Sequence, residues 1–153
     1  MRILLATVLF LLSGYGEQKP LLQVTVDGWG VVWPQGKQNY ITVWPDGTVN
    51  YLIKAKRGLP AQVTDAINRR RLEEVTQAVE QLAKSGNGKV QVESPVDYRL
   101  TVHIETAQGS SVEISHYDFD NPKAVSPEVY RLLCVVDSIR DEPYRLTKES
   151  LCK

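Results

Sequence analysis

Cysteine is nearly absent from this chain, charge of neither sign prevails, and no apolar run is long enough to cross a bilayer. Each absence removes a class of protein. Two cysteines, Cys134 and Cys152, cannot build a cysteine-rich metal module, and their spacing contains no Cys-x-x-Cys redox pair. Basic and acidic side chains balance at 18 each, so the basic excess of a nucleic-acid binder is missing. The longest apolar stretch is Ile3-Leu4-Leu5-Ala6-Thr7-Val8-Leu9-Phe10-Leu11-Leu12, against the roughly 20 residues a spanning helix requires. There is no Gly-x-Ser-x-Gly elbow, no phosphate-cradling glycine loop before a helix and no His-Glu-x-x-His.

What is present begins with Arg2 ahead of that apolar run, followed by Ser13-Gly14-Tyr15-Gly16. A positive start, a short apolar core and small residues form the pattern of a secretory signal peptide over residues 1–16, expected to be cleaved before Glu17, with a retained anchor as the alternative. A lipid-anchored form would need a cysteine at the cleavage point, and the first cysteine is Cys134. No stable membrane span is expected after cleavage. The remaining residues, 17–153, fit one domain with a C-terminal tail over 140–153, long enough for a single core. Loss of Arg2 from the 18 basic residues leaves a net charge of −1. In an exported protein the two cysteines are expected to form a disulfide rather than a metal or redox site. The alternative is two free thiols.

Alternation at Leu22, Val24 and Val26 predicts a half-buried strand, and Val31-Val32-Trp33 a short return strand before Pro34. Residues 35–39 have the composition of a polar loop. Pro45-Asp46-Gly47 then turns a hairpin, with Trp44 opposite Thr48, Val43 opposite Val49 and Ile41 opposite Tyr51. Ile41, Val43, Val49, Tyr51 and Ile53 fall on one face, assigned to the core. Residues 54–63 look like a basic, irregular link. Asn68 caps a helix carrying an apolar stripe at Leu72, Val75, Val79, Leu82 and Ala83, ended by Gly86. Arg69, Arg70 and Arg71 stand against the helix dipole at its positive end. Val90 and Val92 begin another strand. A second hairpin turns at Ala107-Gln108-Gly109, pairing Ile104 with Val112 and Val102 with Ile114. Ser126-Pro127-Glu128 opens a helix with buried Val129, Leu132, Leu133, Val136 and Ile139. Cys134 flanks that stripe, so a bond to Cys152 would pin the tail along the helix edge. The fold expected is α+β: a mostly antiparallel sheet of four to six strands with two helices packed on one face.

Candidate chemistry is thin, and neither a cofactor nor a metal is expected. His103 falls on the polar face opposite Glu113, while His116 shares parity with Val112 and Ile114, so the two diverge. Asp118, Asp120 and Asn121 offer oxygens on a loop, but the EF-hand pattern is missing and turn-forming acids account for them. Trp29, Trp33 and Trp44 all lie in the first half of the chain, and exposed aromatics mark binding surfaces. They are the candidate binding residues.

Tyr40-Ile-x-Val-x-x-Asp-Gly-Thr-Val-x-Tyr51, then a capped helix, then Asp97-Tyr98-x-Leu-Thr-Val102, a glycine turn, a strand and a final helix make a recognisable order. It resembles small bacterial domains of unknown function with a hairpin–helix–hairpin–helix layout. It is similar in outline to the emfourin-type protein inhibitors of protealysin-like metalloproteases. The likeness spans about residues 40–140 and implies a protein-binding, non-enzymatic role. The leading functional expectation is therefore an exported binding domain with an exported or envelope protein as partner, in the periplasm or outside the cell. The alternatives are a hydrolase using carboxylates such as Asp97, Asp118 or Asp120, and an accessory subunit of an envelope assembly.

Overall fold

A computed structural model describes residues 18–28, 36–54, 60–86, 88–91, 100–118, 125–140 and 145–152. The expectations placed on 1–16, Trp29, Val31, Val32, Trp33, Val92, Asp97, Asp120 and Asn121 lie outside these residues.

The fold is α+β; the described residues form seven strands in one sheet and two α-helices. The strands are β1 (Leu22–Gly28), β2 (Gly36–Val43), β3 (Thr48–Lys54), β4 (Pro60–Ala66), β5 (Gly88–Gln91), β6 (Thr101–Thr106) and β7 (Ser111–Ser115). The helices are α1 (Arg69–Ser85) and α2 (Pro127–Ile139). Across the sheet the order is β4-β3-β2-β1-β6-β7-β5. Six strands run antiparallel to one another, and short β5 is added parallel to β7 at one edge.

Period-two alternation puts Leu22, Val24, Val26, Ile41, Val43, Val102, Ile104 and Ile114 on one face, all at most 1 % exposed. They join Val75, Val79 and Leu82 of α1 and Leu132, Leu133 and Val136 of α2 in a single core. Both helices thus cover one face of the sheet, and they contact each other. The other face is mainly polar, with Leu52 buried on it; there His103 Nδ1 lies 3.4 Å from Glu113 Oε2, directly across the β6–β7 ladder.

The local signals work as their chemistry requires. Trp44 N–H donates to Thr48 O, and Gly47 takes the left-handed conformation at φ 87°. Asp46 accepts from Thr48 N–H at 2.8 Å, and that bond lowers its carboxyl pKa. Asn68 accepts from Arg71 N–H at the start of α1, and Ser126 from Val129 N–H at the start of α2. The three arginines of α1 are offset by acids one turn on: Arg69 pairs with Glu73, and both Arg70 and Arg71 with Glu74.

Three expectations need correction. Residues 60–63, read as part of an irregular link, belong to β4, which pairs with β3 from Thr48↔Ala66 to Lys54↔Pro60. Its polar sequence reflects an edge position, with only Ala61 and Val63 half-buried. Residues 36–39, read as a polar loop, are the start of β2, paired with β1 as far as Gly28↔Gly36. His116 does not continue the parity of Ile114: β7 ends at Ser115, and His116 turns away at φ 55°.

Candidate functional site

The described groove with the richest chemistry lies where α1, α2 and the C-terminal tail meet. It has a volume of about 650 Å³ and is lined by Arg71 and Glu74 from α1, by Arg131, Cys134 and Ser138 from α2, and by Arg145, Glu149 and Cys152 from the tail. The tail is brought back by two anchors. Leu146 is fully buried in the core, and Cys152 is disulfide-bonded to Cys134 in the middle of α2. This is the pairing expected from the exported-protein argument.

Beneath the groove lies a buried polar network that starts with an irregularity of β2. The β1–β2 register passes from Val24↔Ile41 to Thr25↔Asn39, skipping Tyr40. A bulge of this kind turns two successive side chains toward the same face. Tyr40 therefore joins Ile41 on the helix side, fully buried. Its hydroxyl donates to Asp137 Oδ1 of α2. Asp137 Oδ2 accepts twice from the tail, from Thr147 N–H at 2.7 Å and Thr147 Oγ1–H at 2.6 Å. A fully buried carboxylate is tolerable only with such donors.

Arg140, just past the end of α2, is buried beside the same tyrosine. Its guanidinium carbon stands 3.9 Å from the centre of the Tyr40 ring and 5.9 Å from that of Tyr51. Its Nη2 donates to Leu52 O, one residue beyond the paired stretch of β2 and β3. The guanidinium thus fills the gap where those strands part. Burial, reinforced by the charge of Asp137, pushes the Tyr40 phenol well above its ordinary pKa. Burial does the same to Tyr117, whose hydroxyl donates to Leu146 O at 2.7 Å. Two tyrosines and an aspartate are therefore committed to holding the tail, and the raised phenols of Tyr40 and Tyr117 keep their protons near neutrality.

The groove wall above is different. Arg71 Nη1 is shared between Glu74 Oε2 at 2.8 Å and Ser138 Oγ at 3.1 Å. Arg145 Nη1 reaches Glu149 Oε2 at only 3.9 Å. The buried Nε of Arg145 makes no hydrogen bond among the described residues. Arg131 is exposed, with no ion pair among the described residues. Guanidinium donors are thus left over along one cleft.

Of the residues singled out in the sequence, Trp44 is half-buried at the turn of the first hairpin, whose Gly47 is buried and accepts from Ile67 N–H. Trp29 and Trp33 lie outside the described residues. Asp118 is half-buried just past β7; neither Asp97 nor Asp120 is described. His103 and His116 sit on the sheet's polar face and in the turn after β7. No group of three metal-ligating side chains forms among the described residues, and no described helix is long and apolar enough to cross a membrane.

The network residues Tyr40, Asp137, Arg140 and Thr147 were not apparent from the sequence. One signal was available: Asp137 and Arg140 stand four residues beyond Leu133 and Val136, in line with the buried stripe. No protein-family model matches this sequence, and comparison with curated proteins finds no match.

Proposed function

We propose that this protein is an exported, non-enzymatic binding domain that takes an acidic segment of a partner protein into the groove between α1, α2 and the tail. The observation that carries this reading is the surplus of guanidinium donors there: exposed Arg131, and Arg145 with a buried Nε that meets no acceptor among the described residues. Arginine's planar fork matches a carboxylate with two parallel hydrogen bonds, and partial burial raises the worth of each. The rest of the site favours binding over catalysis, because Asp137 and Tyr40 are consumed in holding the tail. The Cys134–Cys152 disulfide is compatible with an oxidising, exported setting. The resemblance to emfourin-type inhibitors puts exported metalloproteases first among partners, with Trp44 at the first hairpin as a second contact.

The test is capture by the oxidised protein from the envelope and culture medium of the producing organism, read by mass spectrometry. The expected result is a protein that elutes with salt and is lost with the Arg131→Glu, Arg145→Gln double variant. Capture lost only with Trp44→Ala would move the interface to the first hairpin. An empty capture, or one indifferent to the arginines, would overturn the groove assignment.

A further inference from the structure

We infer that the last turn of the tail is a redox-held strap that keeps a carboxylate of the chain itself over the arginine groove. The strap is the 3-10 turn Glu149–Leu151 together with Cys152. Glu149, Ser150 and Leu151 are all exposed, and Leu151 is the one exposed large apolar side chain among the described residues. The hydrogen bonds of the turn are local, Leu151 N–H to Lys148 O and Cys152 N–H to Glu149 O. Contact with the body comes through three described features. One is the disulfide to Cys134. Another is Cys152 Sγ resting 3.2 Å from Thr147 Oγ1, a contact in which a disulfide sulfur has no proton to donate. The third is the 3.9 Å approach of Glu149 to Arg145. The anchors Leu146 and Thr147 lie before the strap and hold without it. An element packed this lightly stays in place because it is covalently tied.

Glu149 and Cys152 both line the groove. Glu149 offers Arg145 the same group that an acidic partner would bring, so the strap acts as an intramolecular competitor. Both cysteines are half-buried at the groove wall and reachable from it. A dithiol reductant would open the strap by exchange. Its thiolate attacks one sulfur, the Cys134–Cys152 bond breaks, and the reductant's own S–S bond closes. Two protons and two electrons end on the thiols of Cys134 and Cys152. The core and the Thr147–Asp137 clasp stay closed while Arg145 is uncovered.

This inference rests on the groove reading for its ligand but not for its moving part, and two measurements separate them. Hydrogen exchange on the oxidised and dithiol-reduced protein follows the amides of Leu151 and Cys152, with β1 as internal reference. Affinity for a fluorescent acetylated tetraglutamate peptide is measured on the same samples and on the Cys152→Ser and oxidised Glu149→Gln variants. The expected result is lost protection in the strap with β1 unchanged. Peptide affinity should rise about fivefold on reduction or with Cys152→Ser, the upper range of an exposed ion pair's worth, and part-way with Glu149→Gln. Unchanged strap protection, or loss of protection in β1 as well, would overturn the strap, the second outcome making the disulfide a staple of the whole domain. Peptide affinity that is unchanged or weaker after reduction would overturn the competition. Absence of peptide binding in every form would sink the groove reading, leaving exchange to decide the strap alone.

Discussion

Asp137 concentrates the risk in this molecule into one side chain. It is fully buried and accepts from Tyr40, Thr147 Oγ1 and Thr147 N–H. Asp137→Ala would strand those three buried donors. We expect a loss of about 3–5 kcal/mol in urea unfolding, against about 1.5–3 kcal/mol for Tyr40→Phe, which removes one bond to a charged acceptor. A cost below about 1 kcal/mol for Asp137→Ala would show that the clasp is not holding the tail. The site was hard to see in the sequence for reasons specific to these residues. Simple alternation sends Tyr40 to the face opposite Ile41, and only the skipped register on β1 reverses it. A search for apolar stripes passes over Asp137 and Arg140 because they are charged, although their spacing is that of buried positions. Thr147 gives no local signal, since its role depends on the tail's return to α2.

Among the elements, those with strong local chemistry were legible and the weakly patterned ones were not. The hairpin turns at Gly47 and Gly109, the caps Asn68 and Ser126 and the cross-strand pairs Val43↔Val49 and Ile104↔Val112 all follow from turn residues and alternation. Strand β4 did not, because a strand paired on one side only and facing water needs few apolar residues. The same exposure requires protection. Pro60 opens the strand without an N–H to offer. Asp65 Oδ1 accepts from Ala66 N–H at 2.8 Å, occupying a donor near the strand's other end. Replacing both, as Pro60→Val with Asp65→Ala, should give concentration-dependent self-association in sedimentation velocity while the parent sediments as before. A double variant with the parent's behaviour at every concentration would show that the edge is protected by something else.

The whole molecule carries a built-in alkaline limit. Tyr40 and Tyr117 both have phenol pKa values raised above the ordinary 10.0. Above that pH the unfolded chain releases two protons that the folded chain keeps. Stability should therefore be flat up to about pH 10 and then fall by about 1.4 kcal/mol per pH unit for each tyrosine. Urea midpoints measured across that range, with phenolate absorbance on the folded protein, check the sign. Folded-state ionisation of all tyrosines near pH 10 would contradict it. The sheet order has its own consequence in time. Strand β1, the earliest of the described strands, sits in the middle of the sheet, between its sequence neighbour β2 and the distant β6, where Leu22 faces Thr106. Strands β1 to β4 can zip as a local meander, but the second flank of β1 stays open until a long stretch containing all of α1 has been laid down. Closing so wide a span is entropically slow and makes non-local pairing the pacing step. Synthesis and assembly thus run in opposite senses: the strand made earliest is the one whose hydrogen bonding is completed late.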